Sequence, residues 1–119
     1  MLMKQYDIEF VSQEVNISKS KLRYYEKHGL IKNIERDDQN NRVYNEQNIE
    51  LIKLIACLRR LNVPIRKIKQ NIDVNHFNDE SLEGILLEHK RVLREKVEEY
   101  NAYISEIDGK LERAGVKEV

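Results

Sequence analysis

Apolar side chains recur at helical spacing in five stretches of the chain, and the stretch between the second and third alternates instead. In Asp7–Val15 the residues Ile8, Val11 and Val15 share one face, and Asp7 stands where it caps a short helix. The next stretch, Ile17–Leu30 (ISKSKLRYYEKHGL), has both helix ends written into it. Ser18 is the expected N-cap, its side chain accepting from a free backbone N–H. Ile17 and Leu22 have the spacing of a hydrophobic staple. Gly29 takes the left-handed conformation cheaply and ends the helix, and Leu30 folds back to seal it. Leu22 and Tyr25 fall on one face, which leaves Lys19, Arg23, Tyr24 and Lys27 for another purpose. Two short helices that meet across Asn16–Ile17 make the outline of a helix-turn-helix.

After Gly29 the segment IKNIERDDQNNRVY reads as two short extended runs around a polar turn at Asp37–Asn41. Asn40 and Asn41 tolerate the positive φ that tight hairpins demand. A hairpin tip bearing Arg36 and Arg42 can reach a phosphate backbone as a wing. Asn45–Leu61 is a helix capped by Asn45, and most of its circumference is apolar through Ile49, Leu51, Ile52, Leu54, Ile55, Ala56, Leu58 and Leu61. Such a helix is expected to be packed on several sides, as a central beam. Its narrow polar arc holds Glu50, Lys53, Cys57 and Arg60. Asn62 and Val63 turn the chain, and Pro64 suits the first position of a further helix that points Ile65, Ile68 and Ile72 one way. The corner carries Arg59, Arg60, Arg66, Lys67 and Lys69 without an acid.

Val74–Asn78 reads as a linker, with Asn78 or Asp79 capping the last helix and Gly115 ending it; Gly109 argues against a uniform helix. Val97, Tyr100, Ile104, Ile107, Leu111 and Ala114 alternate steps of three and four, the seam of a coiled coil. Leu82, Leu86, His89 and Leu93 continue it upstream with one step out of register. A helix from Asp79 to Ala114 is about 54 Å long, more than the first 73 residues can cover. A second copy of the same helix is the expected cover, through Leu86, Leu93, Val97, Tyr100, Ile104, Ile107 and Leu111. The organisation expected is 1–73, a linker over 74–78, a dimerisation helix over 79–115 and a tail over 116–119.

Composition refines this outline. Charged residues make up 35% of the 119 residues and hydrophobic ones 40%, which suits long solvent-facing helices and a modest core. The net charge of zero conceals a division: residues 1–73 carry 14 Lys and Arg against 10 Asp and Glu, a balance of +4, and residues 74–119 carry 7 against 11, a balance of −4. Basic and acidic parts suggest different partners. A single cysteine excludes an internal disulfide and fits a reducing, cytoplasmic setting. There is no apolar run long enough for a membrane span and no signal peptide. A glycine-rich phosphate loop, a metal-ligand cluster and a framed pair of acids are all missing, so an enzyme is not expected, nor a cofactor. His76 and His89 flank the start of the long helix, but a metal site needs three or four converging ligands.

A short helix offering cations and a phenol beside an anchored face suits the major groove of DNA. The order of parts supports that reading. LRYYEKHGLI, then a hairpin ending in NNRVYNEQNIELIKLI, then a basic turn, closely resembles the MerR family of bacterial transcription regulators, over Tyr6 to about Ile72. The resemblance implies a mainly α fold: a winged helix-turn-helix DNA-binding domain with a small β-hairpin wing, followed by an antiparallel coiled-coil helix that makes a homodimer. It also implies a pseudo-palindromic promoter site whose overlong spacer is distorted so that RNA polymerase engages. By matching position it puts Ser18 and its neighbours in the groove, Arg23 and Tyr24 at the DNA backbone, Arg36 and Arg42 on the wing and Arg59 at the second corner. Lys19, Ser20 and Lys21 are the expected base-edge contacts. The family usually has Gly-Tyr before the wing arginine, where this chain has Asn40 and Asn41; Asn can make the turn, and the tyrosine's DNA contact is lost or replaced by a hydrogen bond.

Many MerR relatives follow the coiled coil with a ligand-binding domain, and this chain stops first. Metal-sensing relatives have cysteines around the long helix, and this chain has none there. Cys57 is the expected sensor, with Lys53 one turn before it and Arg60 nearly one turn after, because nearby cations favour the reactive thiolate. Its place resembles the branch of the family that responds to aldehydes, nitric oxide and other electrophiles. Two rivals are an architectural or excisionase-like DNA binder without a sensor and a coiled-coil adaptor for another protein.

Overall fold

The computed structural model describes residues 4–75 and 79–117. Seven elements follow one another: α1 (Ile8–Val15), α2 (Lys19–Lys27), β1 (Glu35–Arg36), β2 (Arg42–Val43), α3 (Glu46–Arg60), α4 (Ile65–Asn75) and α5 (Asp79–Arg113). They form two units, Met1–His76 and Phe77–Val119, of which the first holds four helices and the hairpin and the second is the long helix.

Local chemistry places the ends of the first helices. The Asp7 side chain accepts from the Phe10 amide at 2.8 Å and starts α1. Asn16 ends it with φ +56°, a left-handed conformation that Asn tolerates better than most residues. The Ser12 hydroxyl then donates to the Ile17 carbonyl, and the Ile17 amide donates to the Ser12 carbonyl, so Ser12 clamps the turn from both sides. Ser18 caps α2 by accepting from the Lys21 amide at 3.1 Å. At the far end Gly29 has φ +76°, its amide donates to the Glu26 carbonyl, and the Leu30 amide donates to the Tyr25 carbonyl, the paired bonds of a Schellman motif. Leu30 and Ile31 are then fully buried.

Strands β1 and β2 pair antiparallel, with Glu35 opposite Val43 and Arg36 opposite Arg42. They are shorter than the extended runs expected from the alternation, because Asn33 turns left-handed at φ +59° just before β1. Of the two turn residues expected to carry positive φ, only Asn40 does, at +65°. A further pairing was not legible: Tyr6 and Tyr44 exchange amide–carbonyl bonds of 2.8 Å in both directions, tying the segment before α1 to the end of the hairpin.

Asn45 and Asn48 cap each other's backbone amides at the start of α3 (2.8 and 2.9 Å). Ile49, Ile52, Ile55 and Leu58 form its buried stripe, with α1 and α4 packed against the helix. The expectation of packing around most of its circumference needs correction. Leu51, Leu54 and Ala56 are half-buried and Leu61 is exposed, because in one chain only one side of this helix is fully covered. Asn62 makes the corner with φ +71°, and the Pro64 carbonyl accepts from Lys67 and Ile68, which makes Pro64 the residue before the first turn of α4. Val74 and Asn75, expected in a linker over 74–78, belong to α4, and 76–78, with the expected cap Asn78, lie outside the described residues.

Helix α5 runs 35 residues, about 52 Å. It passes through Gly84 and Gly109 without interruption, so the doubt over Gly109 is removed by the backbone bonds on either side. Gly115, at φ +73°, closes it with a second Schellman pair, Gly115 to Glu112 and Val116 to Leu111. No helix of the described residues is long and apolar enough to cross a membrane.

Gly29→Ala tests the lock at the end of α2. A Cβ there would stand 3.0 Å from the flexible Cε of Lys69, so the main penalty is the positive φ itself. The variant should unfold about 1–2 kcal/mol more easily in a denaturant titration; an unchanged midpoint would contradict the lock.

Candidate nucleic-acid interface

Helix α2 has two unlike sides. Leu22 and Tyr25 are buried, at 0 and 1% exposure, and hold the helix to the core. Ser20, Lys21, Arg23, Tyr24 and Lys27 face solvent. The ring of Tyr24 lies 4.1 Å from that of His28, which holds the phenol along the helix. Lys19, expected on the same free surface, is half-buried and pairs with Glu9 of α1. Its ammonium is thus committed across the helix-turn-helix, because α1 and α2 cross where these side chains project. Ser18 uses a lone pair as the cap and keeps its hydroxyl proton for a further acceptor.

The wing is held to this helix. Arg36 donates to Glu26 Oε1 at 3.2 Å, and Arg42 donates through Nε to both Glu26 oxygens at 3.2 and 3.3 Å. The two arginines expected at the hairpin tip are therefore tied to α2 through Glu26. Glu26 was not singled out from the sequence, yet it is the lone acid of Lys19–Lys27, which is the signal that marked it. The tip itself is organised by Asp37, whose Oδ1 accepts from the amides of Asn41 (2.8 Å) and Gln39 (2.9 Å). The bond from the Asn41 amide is the largest cause that holds the Asp37 carboxyl below its ordinary value. Asn41 thus contributes its backbone to the turn and keeps an exposed side chain.

An open groove of about 660 Å³ runs between the segment before α1 and the hairpin, and Arg23, Arg36, Arg42 and Asn41 line it together. A second, of about 470 Å³, lies at the start of α2, where Ser18 and Lys21 meet Arg59 and Arg60 from the end of α3. Arg59 is half-buried and donates from Nη1 to the Val63 carbonyl at 2.8 Å, so it also braces the α3–α4 corner. Under these cations sit two buried phenols. Burial is the main cause that pushes Tyr25 and Tyr44 up, with Arg59 and Arg42 respectively opposing it. The Tyr44 hydroxyl has no hydrogen-bond partner among the described residues.

The structure brings Ser18, Lys21, Arg59 and Arg60 to one groove and Arg23, Arg36, Arg42 and Asn41 to the other. Such an array of guanidinium and ammonium groups lining open grooves beside a capped helix and a hairpin is chemically suited to a polyanion. A model described as the MerR HTH family of regulatory proteins matches residues 6–74. The chain belongs to the MerR family. Among curated MerR relatives, the HTH-type transcriptional regulator AdhR of Bacillus subtilis is 30% identical over 78 residues, 66% of this chain and 56% of AdhR. The chain spans between 56 and 61% of the length of the first such relatives. MtaN, the N-terminal part of the Bacillus subtilis multidrug transporter activator, superposes with a TM-score of 0.79 at 22% identity, over 89% of this chain and 97% of MtaN. HiNmlR, a MerR family regulator lacking the sensor domain and bound to promoter DNA, superposes with a TM-score of 0.64 at 21% identity, over 95% of this chain and 92% of HiNmlR. These last two likenesses establish the MerR winged helix-turn-helix fold with its long terminal helix.

Two further features bear on the sequence-based expectations. Cys57 is half-buried on α3, and Lys53 one turn away is paired with Glu50 at 3.8 Å. On α5 the residues Leu86, Leu93, Val97, Tyr100, Ile104 and Ile107, expected at a dimer seam, are between 39 and 58% exposed. Beside them Arg91 binds Glu88 and Glu95, and Tyr103 donates to Glu99, so the flanking charges are satisfied within the helix. His89 is buried, whereas His76 lies outside the described residues.

Asp37 gives the wing a pH dependence of known sign. A carboxyl held below its ordinary value of 3.8 stabilises the turn fully at neutral pH and loses that contribution as the pH falls through the folded value. The amide resonances of Gln39 and Asn41 should therefore titrate below pH 3.8, and Asp37→Asn should abolish that titration. Amide shifts that stay constant through this range would contradict the assignment.

Proposed function

We propose that this MerR-family chain regulates transcription by binding a pseudo-palindromic promoter site as a homodimer. The observation that carries the reading is the shared groove in which α2's Arg23 meets the wing arginines Arg36 and Arg42. In this reading α2 enters the major groove, with Ser20 and Lys21 at base edges and Ser18 and Lys19 beside them, Lys19 exchanging Glu9 for DNA. Arg23, Tyr24, Arg36, Asn41, Arg42 and Arg59 hold the backbone, so they position the protein without reading sequence. HiNmlR, which shares the fold, is itself a regulator bound to promoter DNA.

The exposed seam of α5 supports the second half of the proposal. Leaving the stripe from Leu86 to Ile107 in water forfeits burial that a second copy would supply, and antiparallel pairing about a two-fold would put one DNA-binding unit at each end. Two units at a set separation distort an overlong promoter spacer toward the length that RNA polymerase engages. Modification of Cys57 by an electrophile is the proposed switch between two DNA-bound shapes, supported by its being the chain's single thiol and partly accessible on the main helix of the DNA-binding unit. An architectural binder without a sensor differs by lacking any such response.

Arg23→Ala should weaken binding to all duplexes by about tenfold at moderate salt and lower the slope of log K against log salt by about 1. Unchanged affinity in a fluorescence-anisotropy titration would contradict the surface. Val97→Glu with Ile104→Glu places charge in the seam and should convert the dimer to monomer in sedimentation, with loss of operator binding; a persisting dimer would contradict the pairing. Cys57→Ser should abolish induction of a promoter fusion by thiol-reactive aldehydes, and induction that persists would remove the switch.

A further inference from the structure

Every other long side chain projecting from α2 toward solvent is a cation or a phenol, so a carboxylate on this helix opposes the binding of a polyanion. Glu26 is there all the same, and it is half-buried, at 22% exposure, against both arginines of the wing. Arg36 and Arg42 are direct partners across the hairpin, so their side chains leave the same face. Like charges in that relation push a strand pair apart, and two-residue strands have little else to hold them. The carboxylate replaces this repulsion with a three-membered network and ties the hairpin to α2.

The contacts also orient the guanidinium groups. Arg42 uses Nε toward Glu26, which leaves its Nη edge for a further acceptor, and Arg36 uses Nη2. Both residues line the open groove with Arg23. The acids that line this groove are engaged elsewhere: Asp7 caps α1, Glu9 pairs with Lys19, and Asp37 holds the turn amides. The buried Tyr44 phenol feels the charges of Arg42, Glu26, Arg36 and Arg23, and its hydroxyl makes no hydrogen bond among the described residues, so it does not compete for the carboxylate.

We propose that Glu26 is a positioning residue that presents Arg36 and Arg42 as a paired seat for one backbone phosphate of duplex DNA. The inference rests on the DNA-binding reading of this surface and specifies how the wing takes part in it. It has an unusual sign. If Glu26 acted only through its charge, removing it would strengthen DNA binding; if it positions the arginines, removing it weakens binding although the surface becomes more positive.

The test is a double-mutant cycle in the full chain, read by anisotropy on a fluorescent duplex, with thermal melting to confirm folding. Glu26→Gln should weaken binding about three- to tenfold, whereas in an Arg36→Ala, Arg42→Ala background the same change should leave it equal or tighter. Glu26→Asp keeps the charge, shortens the reach and should also weaken binding; it serves where the Gln variant melts early. In NMR spectra of the DNA-free protein, the Arg42 Nε–H signal should lose its protection in Glu26→Gln. Tighter binding by Glu26→Gln in both backgrounds, or wild-type affinity in Glu26→Asp, would overturn the positioning role while leaving the DNA-binding reading intact. An Arg36→Ala, Arg42→Ala variant with undiminished affinity would overturn the seat as well, and Arg23→Ala with undiminished affinity beside it would take down the reading of the whole surface.

Discussion

A helix of nine residues has little stability of its own in water, so the outward face of α2 exists because its two ends and its inner face are tied down. The Ser18 cap and the Ser12 clamp fix where it starts, and the Gly29 Schellman motif fixes where it stops. Leu22 and Tyr25 fix its rotation, because burying both leaves only one set of side chains outside. Each buried side chain contributes about 1.5–3 kcal/mol, which outweighs the repulsion among its cations and the poorer helix preference of Ser20, Tyr24 and Tyr25. The result is a small rigid plate whose exposed chemistry is set by what has been hidden.

The wing has the opposite problem. Its strands are two residues long and its directly opposed side chains are both arginines. Three tethers compensate: the Tyr6–Tyr44 bridge at its base, the Asp37 turn at its tip and Glu26 between the arginines. Glu26 links the two problems, since it grows from the rigid plate and holds the weak hairpin. On the proposed reading an acid places the cations of this surface, so its net charge alone is a poor guide to what it binds.

Much of this was legible in the residues because it is local. The caps at Asp7, Ser18 and Asn45 and the stops at Gly29 and Gly115 all depend on neighbours within a turn or two. The order of LRYYEKHGLI, hairpin and basic corner also pointed to the MerR family to which the chain belongs. What escaped depends on pairs far apart in the chain. Glu26 meets Arg36 and Arg42 only when the hairpin folds back onto α2, Lys19 meets Glu9 only when α1 and α2 cross, and Tyr6 finds Tyr44 across 38 positions, the difference of their numbers. Packing of α3 on several sides is what its apolar residues alone suggest, without regard to how many neighbours one short chain supplies. Arg59 shows a third kind of gap: its charge was apparent, but its brace to the Val63 carbonyl required the corner to be built.

The proposed function requires that one particular face of the MerR unit meet DNA. Backbone amide and arginine side-chain NMR signals of the labelled chain, followed while a short duplex is added, address this directly, because backbone contacts form on a duplex of any sequence. The account predicts shifts concentrated at residues 18–27, at 36–42 and at Arg59, with little change on the buried stripe of α3. Shifts confined to α5, or to the α1 surface away from both grooves, would contradict it.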